Sequence, residues 1–141
     1  MIFGTFLGAG LLIGTVVVPD IRLPSAARYG LAATTLLPAL ALLGSALRLF
    51  SRSRTRPEPW RPTTAVIVTG VYRFTRNPMY LGMVLAYAGV AVLLDSLPAL
   101  LLLPVAVATI HQGVILREER YLAAKFGETY LAYQARVRRW L

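Results

Sequence analysis

Cysteine is absent, and histidine and lysine occur once each, as His111 and Lys125. Without thiols the chain forms no disulfide and no thiolate metal site, and its sequence gives no sign of redox compartment. One histidine without cysteine cannot make up an ordinary zinc set, so no metal is expected. Acidic residues number only six, and none lies in the middle of a long apolar run. A carrier exchanging cations or drugs would need a mid-membrane carboxylate, which weighs against a small exporter. A phosphate-binding P-loop, a serine nucleophile elbow and a dinucleotide glycine fingerprint are missing too. Gly8-Ala9-Gly10 sits inside an apolar run instead.

Charge as a whole is scarce. Charged residues make up 15% of the chain and hydrophobic ones 57%, with a mean hydropathy of +0.62, where soluble domains carry about a quarter charged residues. A bilayer core takes about 20 apolar residues per helix, and four blocks of that kind are present. The expected fold is all-α: a polytopic membrane bundle of about four transmembrane helices with short amphipathic helices at the C-terminus.

Span one is expected from Ile2 to Val18, stopped by Pro19-Asp20, and span two from Tyr29 to Phe50. Met1-Ile2-Phe3 gives no basic n-region and no small-residue cleavage site follows, so span one reads as a retained helix. Ser51 to Pro62 is too rich in proline for a regular helix. Thr63 to Thr75, with the β-branched run Ala65-Val66-Ile67-Val68, suggests a surface or re-entrant segment buried against protein. Span three runs from Pro78 to Asp95. Ser96-Leu97-Pro98 then turns the chain, and span four continues to Leu116 as an antiparallel neighbour. The whole reads as one membrane domain, 1–141: two spans in 1–50, a basic loop and motif in 51–77, a hairpin in 78–116 and cap helices in 117–141.

The net charge of +9 comes almost wholly from arginine. Seven arginines lie between Arg48 and Arg76 and six basic residues between Arg117 and Arg139, against two before span two and none in the turn between spans three and four. The positive-inside bias accounts for this pattern with no nucleic-acid partner. It puts both termini in the cytoplasm, and the Arg-, Ala- and Leu-rich composition suggests a bacterial inner membrane.

Within the tail, Leu122, Phe126, Tyr130, Tyr133, Val137 and Trp140 recur at three- and four-residue steps, marking one apolar face. Gly127 is expected to end one short helix before Glu128 opens the next.

Polar residues cluster at the cytoplasmic boundary. Gly70, Tyr72, Arg73, Arg76, Asn77, Pro78, Tyr80 and Gly82 fall within thirteen positions. Asn77-Pro78 has the chemistry of a helix start, N-cap then first turn, and the free N–H groups of such a start suit an anionic ligand group. Beyond the hairpin stand Glu118 and Glu119. Adjacent helical residues point in different directions, so at most one of the pair is expected in a shared pocket. His111 is the one ionisable residue inside an apolar block, about 9 Å inward of Arg117 at helical rise. It is either a functional group or a neutral histidine bonded between helices.

The segment Gly70-Val71-Tyr72-Arg73-Phe74-Thr75-Arg76-Asn77-Pro78-Met79-Tyr80-Leu81-Gly82 resembles the signature of the integral-membrane methyltransferases. That superfamily includes isoprenylcysteine carboxyl methyltransferases and phospholipid N-methyltransferases. Arg117-Glu118-Glu119-Arg120-Tyr121-Leu122, followed by Phe126-Gly127-Glu128-Thr129-Tyr130 and Tyr133, is similar to its second half.

The resemblance implies a methyltransferase that uses S-adenosylmethionine from the cytosol and a lipophilic or lipid-linked substrate from the bilayer. Tyr72, Arg76, Asn77, Pro78 and Tyr80 would line the cofactor site, with Glu118 or Glu119 completing it. Glu119, Arg117 and His111 would serve the chemistry or the substrate, and the C-terminal helices would close over the cofactor. The commoner signature has histidine where this chain has Asn77, which cannot act as a base near neutral pH. A prenylcysteine-type carboxylate or another small lipophile is the first acceptor implied, and an amine-bearing phospholipid the second. A carboxylate needs no base, whereas a lipid amine needs Glu119, Glu118 or His111 as one. Outside this class stand the exporter and a non-catalytic membrane subunit.

Overall fold

The computed structural model describes residues 1–16, 21–53 and 65–141. Among these, every regular element is helical: α1 (Ile2–Val16), α2 (Ser25–Arg52), α3 (Pro78–Leu93), α4 (Leu97–Ile110), α5 (Leu116–Phe126) and α6 (Glu128–Arg136). A 3-10 turn at Gly70–Arg73 precedes α3, and a π turn at His111–Ile115 joins α4 to α5 in one continuous run. Two helical stretches, Ser25–Arg52 and Leu97–Phe126, are long and apolar enough to cross a membrane, while α1 and α3 are shorter apolar helices. The stop at Pro19-Asp20 and most of the proline-rich loop fall outside the described residues.

Helix α3 packs along α2 and beside α4, and α1 lies along α4. Small residues let these backbones approach. Ala32, Ala39 and Ala46, spaced by sevens on α2, are all buried. They face the stretch of α3 holding Gly82 and Gly89, where an added Cβ would come within 2.8 Å of Leu43 and 2.6 Å of Leu36. Close approach of this kind lets apolar helices gain dispersion contacts along their length. On the other side, a Cβ on Gly10 would sit 2.5 Å from the backbone of Ala99. Tyr87 donates to the Ala99 carbonyl at 2.9 Å, tying α3 to the start of α4.

Helix boundaries follow local chemistry, with two differences from expectation. Helix α2 starts at Ser25, one turn before Tyr29, because no residue from Ser25 to Arg28 breaks a helix. At α3, Pro78 takes the first position as expected, but the Asn77 side chain does not cap the helix; it is used elsewhere, as described below. Ser96 does cap α4, its hydroxyl accepting from the Ala99 N–H at 3.4 Å. Gly127 separates α5 from α6 at φ +50°, a left-handed conformation that glycine adopts without a Cβ penalty.

The order of packing brings the start of α1, the end of α2, the start of α3 and the end of α4 to the same end of the bundle. There they meet α5 and α6 around one cavity.

Candidate functional site

This cavity has a volume of about 460 Å³, within the range of small-molecule sites. It has two chemically distinct parts. On one side its walls are apolar, with Phe3, Met83, Ile110 and Val114. Toward the basic end it is lined by Tyr72, Arg76, Asn77, Tyr80, Glu118 and Glu119, with Tyr130 and Tyr133 from α6.

The π turn helps to set the polar wall. A π turn takes one more residue per turn than the α-helix, so the faces of α4 and α5 are offset in phase. Glu118 and Glu119 both border the cavity, against the expectation that only one would. The cavity wraps around the first turn of α5, between α3 on one side and α6 on the other. Two residues pointing in different directions therefore both reach it.

Their partners differ. Glu119 is buried between two guanidinium groups: Arg139 reaches both of its oxygens, at 2.9 Å and 2.8 Å, and Arg76 Nη1 lies 3.1 Å from Oε1. Glu118 has no basic partner among the described residues and accepts one hydrogen bond from the Tyr80 hydroxyl, at 3.1 Å. Arg76 is 9% exposed. Its Nε and Nη1 have no hydrogen-bond acceptor among the described residues, so the contact with Glu119 is ionic and unaligned. A buried donor left without an acceptor costs about 1–3 kcal/mol, and more when charged.

The chain beyond α6 closes this wall through backbone carbonyls. Thr75 Oγ1 and Asn77 Nδ2 donate to the Arg139 carbonyl at 3.1 Å and 3.0 Å, and the Arg76 N–H donates to the Arg138 carbonyl at 2.9 Å. Tyr133 donates to the Tyr72 carbonyl at 2.8 Å. Three consecutive residues of the 70–82 segment thus hold the tail in place.

The sequence pattern of the family described as phospholipid methyltransferase matches residues 38–129, which carry most of this wall. The chain belongs to the phospholipid methyltransferase family. An uncharacterized protein of Haemophilus influenzae is 40% identical over 63 residues, covering 45% of this chain and all of that protein. No solved structure matches.

In this family member the structure brings Tyr72, Arg76, Asn77, Tyr80, Glu118 and Glu119 to one cavity. Pro78 is fully buried behind it, outside the lining. His111 and Arg117 are not part of the lining either. The His111 ring stacks on Trp140 with centroids 6.4 Å apart, and Arg117 is exposed on the outer face of α5. The family resemblance implies roles for both in the chemistry or at the substrate, and the π turn and the helix phase leave them outside the lining.

Arg139 and Thr75 carry no signal of their own in the sequence. Arg139 stands in a basic run with Arg136 and Arg138, and only the long-range fold picks it out. Burial pushes up the phenol pKa values of Tyr72 and Tyr133, and that of Tyr130, where Glu119 adds to the rise and Arg76 opposes it. All three therefore remain protonated near neutral pH as hydrogen-bond donors.

Proposed function

We propose that this protein transfers a methyl group from S-adenosylmethionine to an amine-bearing lipophile at the cytoplasmic face of a bacterial inner membrane. The observation that carries the reading is the pairing, in one cavity, of a buried guanidinium whose Nε and Nη1 lack an acceptor and a carboxylate that has no basic partner among the described residues. S-adenosylmethionine offers the same two features in reverse, a carboxylate and cationic centres. Arg76 would hold the cofactor carboxylate, and the phenols of Tyr72 and Tyr130 would supply neutral donors around it. S-adenosylmethionine supplies an electrophilic methyl group on a sulfonium.

The apolar walls at Phe3, Met83, Ile110 and Val114 suit the acceptor's lipid portion. Glu118 would accept the proton of an acceptor ammonium, leaving a free amine to take the methyl group that a bound S-adenosylmethionine would supply. Alignment in a water-poor cavity supplies much of the rate. A prenylcysteine-type carboxylate needs no base and would be repelled by Glu118, so the amine reading is favoured over the carboxylate one.

In the membrane, α1 to α4 form four antiparallel spans with both termini cytoplasmic. This arrangement is supported by the two long helices and by basic segments at the cavity end. By helical rise, α1 and α3 reach about 22 Å and 24 Å, a shortfall taken up by local thinning or by tilt of their neighbours.

The test is transfer of labelled methyl from S-adenosylmethionine into membrane lipid extracts, comparing wild type with Glu118→Gln. Turnover is expected to fall about 100- to 10,000-fold, the range for loss of a general base. Affinity for S-adenosylhomocysteine, which carries no sulfonium, should stay within about threefold of wild type. Label appearing in a carboxyl ester, with turnover kept in Glu118→Gln, would refute the amine assignment.

A further inference from the structure

We propose that Arg139 is a positioning residue that keeps Arg76 available to an anionic ligand group, an inference that rests on the cofactor reading above. Two guanidinium groups compete for one carboxylate. Arg139 approaches Glu119 as a fork, Nε to Oε1 at 2.9 Å and Nη2 to Oε2 at 2.8 Å. A bidentate fork of this kind takes the best-aligned lone pairs on both oxygens. What remains for Arg76 is the unaligned 3.1 Å contact with Oε1, and its Nε and Nη1 stay without an acceptor among the described residues. The arginine that is 33% exposed therefore holds the carboxylate by the fork, and the one that is 9% exposed, at the cavity wall, keeps only the single Nη1 contact.

The fork is set by backbone as well as by side chains. The Arg139 carbonyl is gripped by Thr75 and Asn77, and the Arg138 carbonyl by the Arg76 N–H. Arg139 is thus fixed by the residues on both sides of the guanidinium that it frees. Asn77 serves as the anchor of this tail, which explains why its side chain does not cap α3. Without Arg139, Glu119 can turn to accept fully from Arg76, and a ligand carboxylate must then displace an internal ion pair.

The consequence depends on the ligand, which separates positioning from simple wall-building. Calorimetry on the detergent-purified full chain would use two ligands: S-adenosylhomocysteine, which has a carboxylate, and 5′-methylthioadenosine, which lacks the amino-acid end. Arg139→Ala is expected to weaken the first about 10- to 50-fold and the second less than about twofold. Arg139→Lys keeps a charge but cannot form the fork, and should show a smaller loss with the same selectivity. It serves as the deciding variant if the alanine protein does not fold. Equal losses for both ligands, or no loss for either, would overturn the proposal. If wild type binds neither ligand, the cofactor reading fails and this inference fails with it, a result distinct from loss confined to the variants.

Discussion

Replacing Arg76 by alanine is expected to weaken S-adenosylhomocysteine binding by at least about 100-fold, the largest effect of any single change in the cavity. Two costs combine. The ligand carboxylate loses its guanidinium, and Glu119 loses one of the two cations that make its burial tolerable. Arg139 alone then neutralises Glu119 from a third-exposed position. Because part of the loss is electrostatic rearrangement, Arg76→Lys should recover only a fraction of the affinity, since an ammonium lacks the planar set of donors. Arg73, exposed three residues earlier, provides the control: Arg73→Ala should bind as wild type does. Titration calorimetry of the three variants beside wild type checks the prediction.

The second large effect is on folding. Gly89→Leu should prevent recovery of folded protein, or lower its thermal midpoint by more than about 10 °C, as judged by fluorescence-detected size exclusion after heating. A Cβ at Gly89 would already lie 2.6 Å from both Leu36 Cγ and Thr35 Oγ1, so even the first carbon of a new side chain drives α2 away from α3. Overpacking typically costs about 1–3 kcal/mol. Here the added bulk also opens an interface built on Ala32, Ala39 and Ala46, which have no flexible ends to move aside. Gly8→Leu is the matched control, since a Cβ there meets nothing within 4 Å. Comparable damage in both variants would mean that the α2–α3 contact is not what holds the bundle.

Helix content, the sharp turn at Ser96, the break at Gly127 and the helix start at Pro78 were legible in the sequence, because each depends on residues within one or two turns. The two halves of the site were legible for a different reason: polar side chains in so apolar a chain stand out, and Tyr72, Arg76, Tyr80 and Glu118 do reach one cavity. What the sequence hid was partner choice. Glu118 and Glu119 are neighbours of identical chemistry, yet one is bound by two arginines and the other by a tyrosine. That difference is decided by the tail folding back across sixty residues onto Thr75 and Asn77. Asn77 has the chemistry of a cap, but its amide holds the tail while the residue lines the cavity. His111 is conspicuous as a lone ionisable group in an apolar block, and its ring packs on Trp140 outside the cavity lining.

In the proposed reading, the polar end of the cavity holds S-adenosylmethionine. The most direct test is calorimetric titration of the purified wild-type protein, in lipid nanodiscs, with S-adenosylmethionine and then with its demethylated product as competitor. Saturable one-to-one binding, displaced by the product and lost in Arg76→Ala, is the predicted result. Folded protein that takes up neither compound, or binds both equally well without Arg76, would contradict the account.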